Sequence, residues 1–78
     1  GGSILHGTLE ISVGGTAYIT FEKEFATKPC IVLCPSDSTA SVLATCTAIS
    51  TKGVTIKSKN IDSGYPYSTI YVSWIALG

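Results

Sequence analysis

The residues best suited to chemistry lie in a stretch near the C-terminal end of the chain. Asn60 and Asp62 precede the sequence Tyr65-Pro66-Tyr67. Amide, carboxylate and hydroxyl groups bond to sugar hydroxyls, an aromatic ring stacks on the apolar face of a sugar, and small-molecule sites combine such features. The stretch is equally typical of a rigid turn whose rings pack on the edge of a sheet. The residues leave both interpretations open.

Other chemistry finds little support in the residues. His6 is the only histidine, and it lies on the polar side of an alternating segment, so we expect it at the surface and apart from the cysteine thiols that a Cys–His nucleophile would need. No candidate ligands have zinc spacing, and no run of acidic residues resembles a calcium loop. The sequence predicts a protein that is not an enzyme and that has no metal and no cofactor.

The three cysteines are interpreted as small buried hydrophobic residues. Cys30 and Cys34 belong to one extended segment, which separates their Cα atoms by about 13 Å and excludes a disulfide between them. Pairing of Cys46 with either one stays open. Unpaired cysteines are more typical of a reducing cytosol than of a secretory pathway.

Alternating apolar and polar residues predict six short strands at spacings of about ten residues, an all-β pattern typical of a sandwich or barrel. Gly14-Gly15 predicts a two-residue hairpin turn between the first two strands. The strand at 30–34 is apolar on both faces and is expected to be central. The last strand, 69–77, is also apolar on both faces except at Thr69 and Ser73, so we expect it to face either the other sheet and a partner subunit, or both sheets.

Side-chain parity assigns faces within these strands. In the fourth strand, small or β-branched residues share one side: Val42, Ala44, Cys46 and Ala48. Trp74 shares parity with Ile70 and Val72 and is predicted to be a core residue.

Length and composition limit the function classes. The chain has 78 residues, a net charge of zero, 13% charged residues and no arginine. One domain over 1–78 is expected, with residues 1–3 as a linker remnant. Neutral charge without arginine argues against a nucleic-acid partner, and no apolar run approaches the roughly 20 residues of a membrane span. So few charges predict that part of the surface is covered in an oligomer.

The order of several short motifs resembles the H-type lectin domain over residues 8–78. The motifs are Ile19-Thr20-Phe21, Phe25, Pro29, Ile31-Val32-Leu33, Val42-Leu43-Ala44, Ile49-Ser50-Thr51-Lys52-Gly53-Val54 and Tyr71-Val72-Ser73-Trp74-Ile75-Ala76. The resemblance implies a six-stranded antiparallel β-sandwich that assembles as a trimer, sometimes paired into a hexamer. The ending Trp74-Ile75-Ala76-Leu77-Gly78 resembles the lectin-like domains that close bacteriophage tail-fibre and minor tail proteins.

The chain departs from this family where sugar specificity is made. Family members that bind N-acetylgalactosamine use an arginine at the position of Thr45 and a Trp-His pair near Ile61-Asp62, and neither is present here. Because function depends on the residues of a site rather than on the fold, the resemblance implies the fold of this chain but not the identity of the sugar that it binds.

The resemblance, taken with these observations, implies a trimeric host-recognition domain at the tip of a phage tail fibre or a related tail protein in the virion, attached to an upstream fibre segment and binding a bacterial surface glycan. The predicted glycan-binding residues are Asp37, Ser38, Asn60, Asp62, Tyr65 and Tyr67. The alternatives are a structural cap that trimerises and ends a fibre without binding, or a secreted H-type lectin of a cellular organism. We expect neither nucleic-acid binding nor membrane insertion.

Overall fold

A computed structural model describes residues 3–35 and 41–78 and contains two packed antiparallel sheets. The strands are β1 (Ile4–Ser12), β2 (Thr16–Thr20), β3 (Cys30–Pro35), β4 (Val42–Ile49), β5 (Gly53–Asn60) and β6 (Thr69–Leu77). The first sheet has the order β1-β6-β3 and the second the order β2-β5-β4. The prediction of an all-β, six-stranded antiparallel sandwich is therefore confirmed. Within the described ranges, no helix is long and apolar enough to cross a membrane.

The core lies between the two sheets and is built mainly by their central strands, β5 and β6. Its fully buried apolar side chains are Val54, Ile56, Ile70, Val72 and Ala76. Burying a side chain of the size of valine or isoleucine contributes roughly 1.5–3 kcal/mol. The alternation that predicted inward and outward faces is confirmed in β1, β2 and β5, because each of these strands has one face against the core and one against solvent.

The expected hairpin at Gly14-Gly15 is wrong, since β1 and β2 lie in different sheets. The turn itself is tight: Gly14 has φ of +83°, and the Gly15 amide donates to the Ser12 carbonyl over 2.8 Å. Beyond the turn, however, β1 pairs with β6 and β2 pairs with β5. The turn is thus an arch that carries the chain from one sheet to the other.

A buried serine secures this arch. The Ser58 side chain is fully buried on the inner face of β5. Its hydroxyl donates to the Ser12 carbonyl over 2.6 Å and accepts from the Gly14 amide over 2.9 Å. The Ser58 amide also donates to the Gly15 carbonyl over 3.0 Å. One small polar side chain therefore binds two backbone groups at the change of sheet: the Gly14 amide, which has no other acceptor among the described residues, and the Ser12 carbonyl, which also accepts from the Gly15 amide.

The third strand is at an edge, contrary to the expectation of a central strand, because it pairs only with β6. Cys30 and Cys34 are consequently exposed on the outer face of the first sheet, and the interpretation of these two as buried residues is wrong. Cys46 is half-buried on β4, and burial raises the pKa of its thiol above the ordinary value. All three cysteines are free.

A β-bulge between Cys46 and Ala48 interrupts the pairing of β4 with β5. Val42, Ala44 and Cys46 face inward as predicted, but Ala48 is exposed and Ile49 turns inward instead. A bulge adds one residue to one strand only, which reverses the parity of every side chain beyond it.

Replacing Ser58 by alanine is expected to lower the free energy of unfolding by about 1–2 kcal/mol, since the Gly14 amide loses its acceptor and the Ser12 carbonyl loses one of its two donors at the arch. Urea denaturation followed by circular dichroism measures this change. Ser63→Ala, in the exposed segment after β5, is the matched control and should change stability by less than about 0.5 kcal/mol. Equal stability of the two variants would contradict the role given to Ser58.

Candidate functional site

Four of the predicted site residues, Asn60, Asp62, Tyr65 and Tyr67, lie at one end of the sandwich, in and beside the segment 61–68 that joins β5 to β6. This segment is anchored where its last residue, Ser68, accepts a hydrogen bond from the Val13 amide over 2.9 Å. Ser3 and Gly78 are at the opposite end, where the Gly78 amide donates to the Ser3 carbonyl over 2.9 Å. The predicted residues Asp37 and Ser38 fall outside the described residues.

Asp62 forms a tight local turn. Its carboxylate oxygen Oδ1 accepts from the Gly64 amide over 2.7 Å. The Ser41 hydroxyl and then this amide hold the pKa of the Asp62 carboxyl below its ordinary value. Both donors stabilise the charged form. Asp62 is exposed, so the carboxylate is ionised at neutral pH and retains acceptor capacity on its solvent side.

Asn60 fastens the start of the same segment. With its amide nitrogen facing two backbone carbonyls, the side chain donates to Ser41 over 3.1 Å and to Asp62 over 2.8 Å. The Ile61 amide also donates to the Ser41 carbonyl, over 2.8 Å. These bonds tie segment 61–68 to the residue that precedes β4. Asn60 thus positions the loop, and its amide nitrogen is committed to the backbone.

The two tyrosines have different surroundings. Tyr65 is half-buried against the core, and its hydroxyl donates to the Thr69 carbonyl over 2.8 Å. Tyr67 is 69% exposed. The rings meet edge to face with centroids 5.5 Å apart and an interplanar angle of 74°, an arrangement that aromatic pairs favour. Tyr65 therefore supports Tyr67, and only the Tyr67 ring offers a large accessible surface.

The loop brings together four of the predicted residues and divides their roles. Asn60 and Tyr65 hold the backbone, whereas Asp62 and Tyr67 present a carboxylate and a ring to solvent. Sequence analysis missed Ile61, which is 50% exposed beside them, although its apolar type between two polar residues was visible. Among the described residues, no group of three or more histidine, cysteine, aspartate or glutamate side chains could hold a metal ion.

A second surface feature is the outer face of the first sheet, which sequence analysis anticipated only for the last strand. Cross-strand pairing aligns Ile4 with Leu77 and Val32 with Ile75. On β3 and β6 and at the start of β1, this face exposes apolar or thiol side chains, whereas the later outward residues of β1 are polar. The exposed apolar or thiol residues are Ile4, Cys30, Val32, Cys34, Tyr71, Ile75 and Leu77. Exposed apolar side chains grouped on one sheet face mark interaction surfaces in soluble proteins.

The protonation of Asp62 is expected to follow its hydrogen bonds. Because its folded-state pKa is lowered, its contribution to the loop is present above the ordinary value of 3.8 and is lost as the pH falls through the lowered value. A carboxyl-carbon NMR titration should give a midpoint below 3.8. Ser41→Ala should raise that midpoint, since the first-ranked donor is removed. A wild-type midpoint at or above the ordinary value would contradict the geometry.

Comparisons with protein-family models, with curated proteins and with solved structures found no match to this chain. Its function is therefore inferred from its own residues and from the resemblance that its motifs carry.

Proposed function

We propose that this chain is a non-catalytic carbohydrate-binding domain that resembles H-type lectins and attaches the tip of a phage tail fibre, or a related tail protein, to a bacterial surface glycan. The observation that carries the proposal is that one loop, held by Asn60 and Tyr65, exposes both the Tyr67 ring and the ionised Asp62 carboxylate. A fixed platform of this kind loses little conformational entropy when it binds a ligand.

The two presented groups complement the two surfaces of a sugar. The Tyr67 ring offers a flat apolar surface to the C–H face of a pyranose, while Asp62 accepts hydrogen bonds from its hydroxyls. In the proposal, Asp37 and Ser38 add polar contacts from the segment between β3 and β4. That segment is followed by Ser41, whose hydroxyl bonds to Asp62.

Oligomerisation is part of the proposal. The outer face of the first sheet is the surface that we assign to contacts between three copies, with a hexamer of paired trimers as the larger form that the resemblance implies. Three equivalent weak sites on one particle raise the effective affinity for a surface that carries many glycans. In the proposal the fibre segment lies toward Ser3, at the end of the sandwich opposite the loop.

Replacing Tyr67 by alanine is expected to weaken glycan binding roughly tenfold, which corresponds to about 1.4 kcal/mol of lost contact. A bacterial glycan array, read with the folded domain, measures this change. Tyr18→Ala is the matched control, because Tyr18 is 58% exposed on the outer face of β2. Equal binding by the wild type and Tyr67→Ala would remove the loop as the glycan site.

The second candidate is a structural cap that trimerises and ends a fibre without binding a ligand. The specific observation in its favour is the apolar outer face of the first sheet, since that face supports assembly with or without a sugar. Adsorption to host cells separates the candidates: a cap predicts that Tyr67→Ala leaves adsorption unchanged while the trimer stays intact.

Replacing Ile75 by glutamate should break the trimer, because a carboxylate left unpaired in an apolar contact costs on the order of 3 kcal/mol, or about a hundredfold in dissociation constant. Light scattering measures the mass. Leu43→Glu, at an exposed leucine on β4 in the second sheet, is the matched control and should remain trimeric.

Cys30 and Cys34 provide a second test, since alkylation of their thiols should be slow in the trimer and fast after Ile75→Glu. A monomeric wild type would reject the assembly.

A further inference from the structure

An open groove lies at the end of the sandwich opposite segment 61–68. It is formed where the sheets part, because β1 pairs only with β6 and β2 pairs only with β5, so that neither strand has a partner on its other edge. The groove has a volume of about 300 Å³, at the lower end of the range for small-molecule sites. We call it the edge groove; its lining residues are Ile4, Leu5, His6, Thr20, Glu22 and Trp74.

Trp74 forms an aromatic wall of this groove. Its neighbours on the inner face of β6, Val72 and Ala76, are fully buried, whereas Trp74 is only half-buried. Gly7 lies opposite it in the register, and a Cβ atom there would be 3.0 Å from the indole nitrogen Nε1. The glycine thus lets the indole pass closely over the β1 backbone. On its other side the indole contacts Phe21, with ring centroids 6.1 Å apart.

The indole N–H remains available to a ligand. Among residues 3–35 and 41–78, the Trp74 indole makes no hydrogen bond, and none of the described side chains holds a buried polar atom without a partner. The Nε1–H group is therefore accessible to solvent. An indole that is packed on one side and open on the other combines a stacking surface with a hydrogen-bond donor.

Three further polar side chains line the groove without partners among the described residues: His6, Thr20 and Glu22. The nearby Glu24 differs, because it accepts from the Thr51 hydroxyl over 2.9 Å. Glu22 is exposed, its carboxylate has no partner among the described residues, and it lines the groove together with the imidazole of His6 and the hydroxyl of Thr20. The groove therefore presents acceptors and donors around one aromatic wall.

We propose that the edge groove is a second saccharide subsite, separate from the loop site and holding a single sugar ring. Trp74 would stack on the ring, Glu22 and Thr20 would bond to its hydroxyls, and His6 would contribute an imidazole nitrogen. The Glu22 carboxylate disfavours phosphate or sulfate ligands, and the groove lining includes no lysine to offset it. The ligand class rests on the proposed function, whereas the location does not.

Tryptophan fluorescence tests this subsite directly, because Trp74 is the only tryptophan in the chain. The probes are D-glucose, D-galactose, N-acetyl-D-glucosamine and L-rhamnose, each titrated into the intact protein. At least one should change Trp74 emission in a saturable manner. Glu22→Gln should weaken that response about tenfold, because a charged acceptor is lost. Glu24→Gln is the matched control two residues along the same bend and should respond as the wild type does.

The outcomes separate this proposal from the preceding one. If no sugar changes Trp74 emission, or if Glu22→Gln responds as the wild type does, the edge groove is not a saccharide subsite. Should Tyr67→Ala abolish binding to the glycan array in that case, the loop site would stand alone. A saturable Trp74 response that persists in Tyr67→Ala, with unchanged array binding, would instead leave the edge groove as the glycan site and overturn the loop.

Discussion

The change of sheet between β1 and β2 is the constraint on which the rest of the molecule depends. It is made within three residues and is held by the buried Ser58 hydroxyl, which joins β5 to the backbone at Ser12 and Gly14. Because β1 and β2 do not pair, β6 takes the centre of the first sheet and β5 the centre of the second. The same separation leaves the two facing strand edges open, and the edge groove is the result. A true hairpin at this position would close that groove and remove β1 from β6.

Much of the fold could be predicted from the sequence, because the period of two is a local property. Inward positions such as Ile11, Val54 and Ile56 follow from alternation alone. Pairing partners do not, since a Gly-Gly turn has the same local chemistry in a hairpin as in an arch between sheets. The edge position of β3 was missed for a related reason. A strand that is apolar on both faces has the same sequence pattern in two cases: when its own chain covers both faces, and when one face is left exposed to bind another molecule.

The candidate site shows the same division between local and tertiary information. Residue types near positions 60–67 correctly indicated a compact polar and aromatic loop. Tyr65 is the supporting residue and Tyr67 the exposed one because the Tyr65 hydroxyl bonds to the Thr69 carbonyl and its ring packs on the core. Neither of these contacts can be predicted from the order of residues. Trp74 is the converse case. Parity placed it on the inner face correctly, but its half-exposure arises only because the sandwich is open along β1 and β2.

The two outer faces of the sandwich have unlike chemistry, and this bears on how copies could assemble. Lys57 and Lys59 lie on the outer side of the second sheet, whereas the outer side of the first sheet has no lysine and its Glu10 carboxylate accepts from the Thr69 hydroxyl over 3.0 Å. Association through the first sheet would therefore bury apolar surface and leave the charged sheet in water. In a closed cyclic oligomer every copy points the same end toward the same side of the assembly along the symmetry axis. If that axis runs along the strands, all the loops at 61–68 point the same way, as multivalent attachment requires, and each edge groove lies at the end of the assembly that carries Ser3 and Gly78.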